Sequence, residues 1–370
     1  MLVEETSARH ARAVACTRVL LDDTSVSSIF EAAFEHDGLR IRADVLVRDP
    51  DGSYELIEVK SSLAVRPEHL LDLAVQAHVI DGSGIDLSNA SLLHLDPDYE
   101  WPGGRLDRER LFRRVELTEP VLAALPDVRA RVVELRAVVA ADQAPHVELG
   151  LHCVRPKECP FLAHCCLEAG GTAQLALPSP NHVVEAAAIA ALPLLAAVLD
   201  VQTFSTALPS LPGTRPHEPI PFAWALRLAQ SDTAAVERFH VADPAADPRD
   251  GFVAGLDALL PEQGAVGFFP EALPRVLMRL AERGNEAAAA CARRLAAQGV
   301  DLERMFPRAA VAVDPSDEPP PFPSRRDAAA AYLAARETDL SDTRRRASLA
   351  ALGAQGRWMA RRLALKSGAR

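Results

Sequence analysis

In the stretch LRIRADVLVRDPDGSYELIEVKSS, residues 39–62, two carboxylates and an ammonium interrupt an alternation of hydrophobic and polar side chains. Successive side chains on a strand point to opposite faces. Arg40, Arg42 and Asp44 therefore share one face of a strand, and Glu58 and Lys60 share one face of the next. In a meander these faces are common, which brings Asp44, Glu58 and Lys60 together. Burying such groups uncompensated is costly. A hard dication between Asp44 and Glu58 removes that cost, because Mg²⁺ prefers carboxylate oxygens and keeps waters. A water held there becomes a better nucleophile, and Lys60 is placed to orient it or to stabilise developing phosphate charge. A Glu-x-Lys tripeptide alone is common on exposed strands. Here the apolar LIEV around Glu58 and a polar helix stripe of His69, Asp72 and Gln76 strengthen the metal-site reading.

The second chemical group is LHCVRPKECPFLAHCCLEAGG, with Cys153, Cys159, Cys165 and Cys166 inside fourteen residues. Clustered thiolates in a polar, proline-interrupted loop bind iron–sulfur clusters or zinc more readily than they pack as core. Zinc on Cys153, Cys159, Cys165 and either Cys166 or His164 is one chemical solution. Cys291, in the Ala-rich AAAACARRL, reads as ordinary core packing, and Cys16 stands apart in AVACTRVLL.

The elements that must position these groups follow from periodicity. SIFEAAFEHDG reads as a strand ending in an Asp-Gly turn, LRIRADVLVRD as a second strand, PDGS as a turn and YELIEVKSS as a third strand. A helix precedes them. PEHLLDLAVQAHVIDG is a helix opened by proline and closed by glycine, with an apolar stripe of Leu70, Leu73, Ala74, Ala77 and Ile80. ASLLHLDPDY is a fourth strand, and VLAALPDVRARVVELRAVVAA is helical with a proline interruption. LALPSPNH has linker character, so residues 1–170 form one domain, 171–182 a linker and 183–370 a second domain. In the second half a strand ends at Leu199–Val201, the loop LPSLPGTRPHEPIP follows, then the strand FAWALRLAQ and Ala-rich helices, with a Pro-rich acidic loop at DPSDEPPPFPSRRD.

A chain of 370 residues with 49% hydrophobic and 25% charged residues is long enough for two buried cores. Its formal net charge of -11 argues against a generic basic nucleic-acid coat protein, though not against a local basic surface. MLVEETSARHARAV has no apolar core segment, which predicts no secretory signal, and no apolar run reaches membrane-spanning length. A cytoplasmic protein with no membrane partner is expected.

RADVLVRDPDGSYELIEVKSS followed by DLAVQAHVI resembles the PD-(D/E)XK nuclease superfamily, in its RecB-like and CRISPR-adaptation exonuclease branch. The resemblance implies an α/β fold with a restriction-endonuclease-like mixed sheet and flanking helices. It implies that Asp44, Glu58 and the Val59 carbonyl hold Mg²⁺ or Mn²⁺, that Lys60 is catalytic and that Gln76 positions the site or the DNA. The branch often carries an earlier helix with a further acid or histidine of the site and a cysteine before it, and this chain is expected to start too late to contain all of that segment. Glu31 is the candidate for the extra acid. The same branch carries a [4Fe–4S] staple, to which Cys153, Cys159 and Cys165 look like the three late ligands, with Cys16 or Cys166 as the fourth.

LDVQTFSTALPSLPGTRPHEPIPFAWAL is similar to a bacterial family in which such a nuclease precedes an RNase H-like, DEDD-type exonuclease domain. Those exonucleases begin with Asp-x-Glu on a strand and use two metals. Here the position reads Asp200-Val201-Gln202, Glu271 matches a later acid, and Gln355 falls where an aspartate is expected. The C-terminal domain is therefore expected to be RNase H-like and inactive. The whole reads as a metal-dependent nuclease on nucleic acid, most of all DNA, with exonuclease action favoured over endonuclease. The rival is a non-catalytic nucleic-acid- or protein-binding module with relic sites.

Overall fold

The computed structural model describes residues 1–3, 9–154, 159–169, 195–229, 235–269, 272–302, 325–336, 351 and 354. They form an α/β protein with two five-stranded mixed sheets flanked by helices. The chain divides into two compact units, Met1–His146 with Thr206–Glu218, and Val147–Ser205 with Pro219–Arg370. The expected boundary differs in two ways. The cysteine stretch groups with the second unit. The loop Thr206–Glu218 groups with the first, because its backbone pairs there: Trp101 N–H donates to the Thr214 carbonyl at 3.0 Å, and Gly213 N–H to the Trp101 carbonyl at 2.6 Å. The expected linker, residues 171–182, lies outside the described residues.

The first unit runs α1 (His10–Asp22), β1 (Ser28–His36), β2 (Leu39–Arg48), β3 (Tyr54–Lys60), α2 (Pro67–Gly82), β4 (Leu87–Leu95), α3 (Arg108–Leu111), β5 (Phe112–Glu116) and α4 (Thr118–Ala140). Its sheet has the order β1-β2-β3-β4-β5. The first three strands form the expected antiparallel meander. Asp37 at φ 53° and Gly38 at φ 76° supply two consecutive left-handed residues, which a two-residue hairpin turn needs. α2 then crosses over the sheet so that β4 lies parallel to β3. β3 is the central strand, and Tyr54 to Glu58 are all buried.

α2 follows the sequence signals closely. Pro67 occupies its first turn, and His69 Nδ1 accepts the Arg66 N–H at 3.2 Å. Leu73, Ala74, Ala77 and Ile80 are buried with Leu56 of β3 and with Val121, Val128 and Val132 of α4. α4 departs from expectation, because it continues through Pro126 as one helix. A mid-helix proline forfeits a backbone hydrogen bond, and the valines buried on either side of it hold the helix together.

The second unit contains a short 3₁₀ turn (Leu151–Cys153), α5 (Leu162–Glu168), β6 (Leu195–Phe204), β7 (Ile220–Ala229), β8 (Ala235–Val241), α6 (Pro248–Leu259), β9 (Ala265–Phe269), α7 (Leu273–Glu282), α8 (Glu286–Gln298), β10 (Gly299–Asp301) and α9 (Arg325–Arg336). Its sheet order is β10-β9-β6-β7-β8. β6, β7 and β8 are antiparallel, while β9 and β10 continue parallel to β6. Tyr332 of α9 stacks on Phe222 with ring centroids 4.4 Å apart. Cys291 is fully buried in this core, as expected, and burial with Asp257 nearby pushes its thiol up to about 12.

Candidate functional site

The face of β3 that carries Glu58 and Lys60 lies under α2. β2 and β3 pair through Val45↔Ile57, so the next opposed pair in that register is Asp44 and Glu58, with side chains on one face. There the ladder opens: the Asp44 carboxylate, rather than a backbone carbonyl, accepts the Val59 N–H at 2.8 Å. Lys60 donates to Glu58 Oε1 at 2.5 Å and to Asp72 Oδ2 at 2.6 Å. Gln76 Nε2 donates to the other Glu58 oxygen at 2.7 Å. Asp72 and Gln76 are one turn apart on α2, so the helix presents both to the strand.

The electrostatics follow from the burial. Glu58 is only 5% exposed. Desolvation pushes its carboxyl above the usual range, and the neighbouring Asp44 charge adds to that, while the bonds from Lys60 and Gln76 oppose it. Burial works to lower the Lys60 ammonium, but Asp72 and Glu58 outweigh it and hold it above the ordinary lysine value. His69, at the start of the same helix, is pushed down by burial, with Lys60 and Arg66 acting in the same sense. Among the described residues, the buried Gln76 Oε1 atom has no hydrogen-bond partner. Two acids, one of them buried, beside an orphaned amide oxygen make a donor set of hard oxygens, which suits Mg²⁺ or Mn²⁺. Any such ion has to compete with Lys60 and Gln76 for Glu58.

Asp44, Glu58, Val59, Lys60 and Gln76 are thus gathered at one end of β3. Glu31 behaves differently. It sits on β1 with φ 58°, where the pairing to β2 skips one step between Phe30↔Val45 and Ala32↔Ala43. Its carboxylate lies 3.3 Å from Arg42 Nε. The role of Asp72 as the second anchor of Lys60 was latent in the polar stripe. His217 was not anticipated: in the loop Thr206–Glu218, its Nε2 contacts the Ser61 carbonyl, next to Lys60. Nothing in the sequence ties two residues so far apart.

Cys153 and Cys166 are buried together against Leu149 and Leu162. Cys159 donates its N–H to the Cys153 carbonyl at 2.8 Å. All six cysteines are free thiols. Among the described residues, no three of these cysteines and His164 bring ligand atoms within 4.8 Å of one another. Cys16 packs on the core of the first unit, from α1. In the second unit Asp200 is half-buried and Gln202 buried, both on β6. Glu271 and Gln355 lie outside the described residues. No described helix is long and apolar enough to cross a membrane.

Comparison with known proteins adds little. Residues 197–316, less than half of the chain, match the family model described as a domain of unknown function, DUF2779. No curated protein matches. A solved structure titled "Crystal structure of SSO0001" is 17% identical over 34% of this chain, with a TM-score of 0.18. The match spans 58% of that structure's length, and at this TM-score it carries no argument.

Proposed function

We propose that the first unit is a metal-dependent phosphodiesterase of the PD-(D/E)XK, RecB-like type, acting on nucleic acid and on DNA most of all. The observation that carries this reading is the hydrogen-bonded chain Gln76–Glu58–Lys60–Asp72, with Asp44 opposite Glu58 on the neighbouring strand. Asp44 and Glu58 would hold Mg²⁺ or Mn²⁺, with the Val59 carbonyl as a third oxygen. The bound ion supplies Lewis acidity toward a phosphoryl oxygen. Lys60 holds an ammonium against the developing negative charge, and Asp72 fixes where that ammonium points. Gln76 orients Glu58 and offers a carbonyl oxygen to a water or an ion.

The cysteine stretch serves this reading as a staple, holding the [4Fe–4S] cluster that the resemblance implies, with zinc as the alternative. The second unit serves as an RNase H-like domain without catalysis. Three antiparallel strands followed by two strands parallel to the first, in the order found here, suit that fold. Gln202 gives no charge to a metal where an acid is needed. Four cysteines clustered as metal ligands suit a reducing, cytoplasmic setting.

One observation favours the non-catalytic rival: Lys60 and Gln76 occupy both oxygens of Glu58. The test is cleavage of labelled single- and double-stranded DNA by the full chain with Mn²⁺, against Asp44→Ala and Lys60→Ala. Metal-dependent cleavage absent from both variants supports the proposal. Nucleic-acid binding with no cleavage in the parent protein supports the rival.

A further inference from the structure

A second set of ligand atoms lies at the other end of β2. Its pairing with His36 begins at Leu39, five residues from Asp44 and so roughly 17 Å along the strand. His36 closes β1, Asp37 opens the hairpin turn, and His78 lies on α2. The ligand atoms of these three residues fall within 4.8 Å of one another. Both imidazole Nε2 atoms, of His36 and of His78, are 3.5 Å from the same Asp37 oxygen, Oδ2. Tetrahedral ligands at about 2.0–2.2 Å from zinc stand roughly 3.3–3.5 Å apart. Both histidine-to-carboxylate spacings therefore suit atoms sharing one small cation.

Three further observations point the same way. His78 is 6% exposed, and among the described residues its buried Nε2 atom has no hydrogen-bond partner. A buried imidazole nitrogen left so is costly, and a metal bond to its lone pair would remove that cost. Gly82 lies one helical turn after His78, and a Cβ there would come 2.1 Å from His36 Cδ2 and 2.3 Å from His36 Nε2. The absent side chain is the space that the His36 ring occupies. Arg136 of α4 holds the other Asp37 oxygen, Oδ1, at 3.3 Å, so the carboxylate is oriented with Oδ2 toward the histidines.

We infer that His36, Asp37 and His78 form a binding site for a borderline divalent cation of the zinc type, clipping the β1–β2 hairpin to α2. Two imidazoles and one carboxylate suit zinc better than Mg²⁺, which seeks oxygen. His36 and Asp37 are partly exposed, so water completes the coordination. This site does not depend on the nuclease reading.

The test uses the full chain, stripped with chelator and titrated with Zn²⁺ in excess Mg²⁺. Long-range proton–nitrogen spectra follow the histidine rings, assigned through His36→Gln and His78→Gln. One equivalent of zinc is expected to shift the His36 and His78 resonances together. Cysteine-bound zinc would leave them unmoved, so the readout is specific to this site. His36→Gln and Gly82→Ala, both clear of the buried core, are each expected to weaken zinc binding here on the order of tenfold or more. Unmoved His36 and His78 rings at saturating zinc would overturn the inference. So would unchanged affinity at these rings in Gly82→Ala and loss of nothing in His36→Gln.

Discussion

Lys60 Nζ lies 2.6 Å from Asp72 Oδ2, an ion pair that ties the end of β3 to the first half of α2. Asp72 thereby sets both the position and the charge of the group proposed to act on phosphate. Asp72→Asn is expected to lower cleavage on the order of tenfold, against 10²–10⁴-fold for Lys60→Ala. The pH profile separates the two causes. With its folded value raised, the Lys60 pairing is fully present below the unfolded lysine pKa, about 10.4, and is lost as pH rises through the folded value. Asp72→Asn should therefore move the alkaline limb of the rate profile to lower pH and leave the neutral fold intact. An unmoved alkaline limb would show that Asp72 has no hold on Lys60.

Glu58 carries a cost in the metal-free protein. Burial raises its carboxyl above the usual range, so the folded state binds its proton more tightly than the unfolded chain does. Its contribution to stability is then full below about pH 4.3 and is lost as pH rises through the folded value. Glu58→Gln in chelator should melt higher at pH 7, by on the order of 1 kcal/mol or about 3 °C. The advantage should vanish toward pH 4. Mn²⁺ should reverse the order, since about 2.7 kcal/mol accrues to the parent at 100 times Kd. Thermal melts across pH, with and without Mn²⁺, read all three effects.

Glu31 holds a left-handed backbone that glycine adopts freely. Its carboxylate is half exposed and pairs with Arg42, a contact of small value. Glu31→Gly should therefore stabilise the protein by about 0.5–1 kcal/mol in chemical denaturation. Unchanged cleavage would remove Glu31 from the site. A large loss would return it to the catalytic acids.

Anaerobically purified protein should be brown and hold about four irons. Cys153→Ser or Cys159→Ser should lose the iron, while Cys291→Ser, whose thiol is packed in the second core, should keep it. Colourless protein with one cysteine-bound zinc would count against the cluster. Iron analysis and absorbance on one sample decide it.

The first half shows how far local pattern reaches. Strand alternation placed Asp44, Glu58 and Lys60 on common faces, because side-chain direction along a strand is a period of two and nothing else. The helix that supplies Gln76 was bounded by its own proline and glycine, and its stripe from Leu73 to Ile80 is the buried one. Cys291 was legible as core for the same reason, an alanine-rich helical surround.

Other features were closed to the sequence because they join residues by packing rather than by period. Pro126 reads as a helix break, yet valines on both sides bury the helix across it. The loop Thr206–Glu218 reads as a connection in the second half, yet its backbone bonds belong to the first unit. The meander itself said which faces Asp44 and Glu58 share, but only the opened ladder put Asp44 on the Val59 N–H. His36, Asp37 and His78 converge only where a hairpin tip meets the last turns of α2, at a glycine that leaves room for an imidazole. Sequence by itself determined the elements and the direction of their side chains, since both follow from local sterics and burial. Tertiary structure alone decided which of those side chains meet, since that depends on crossings and clearances that no local period records.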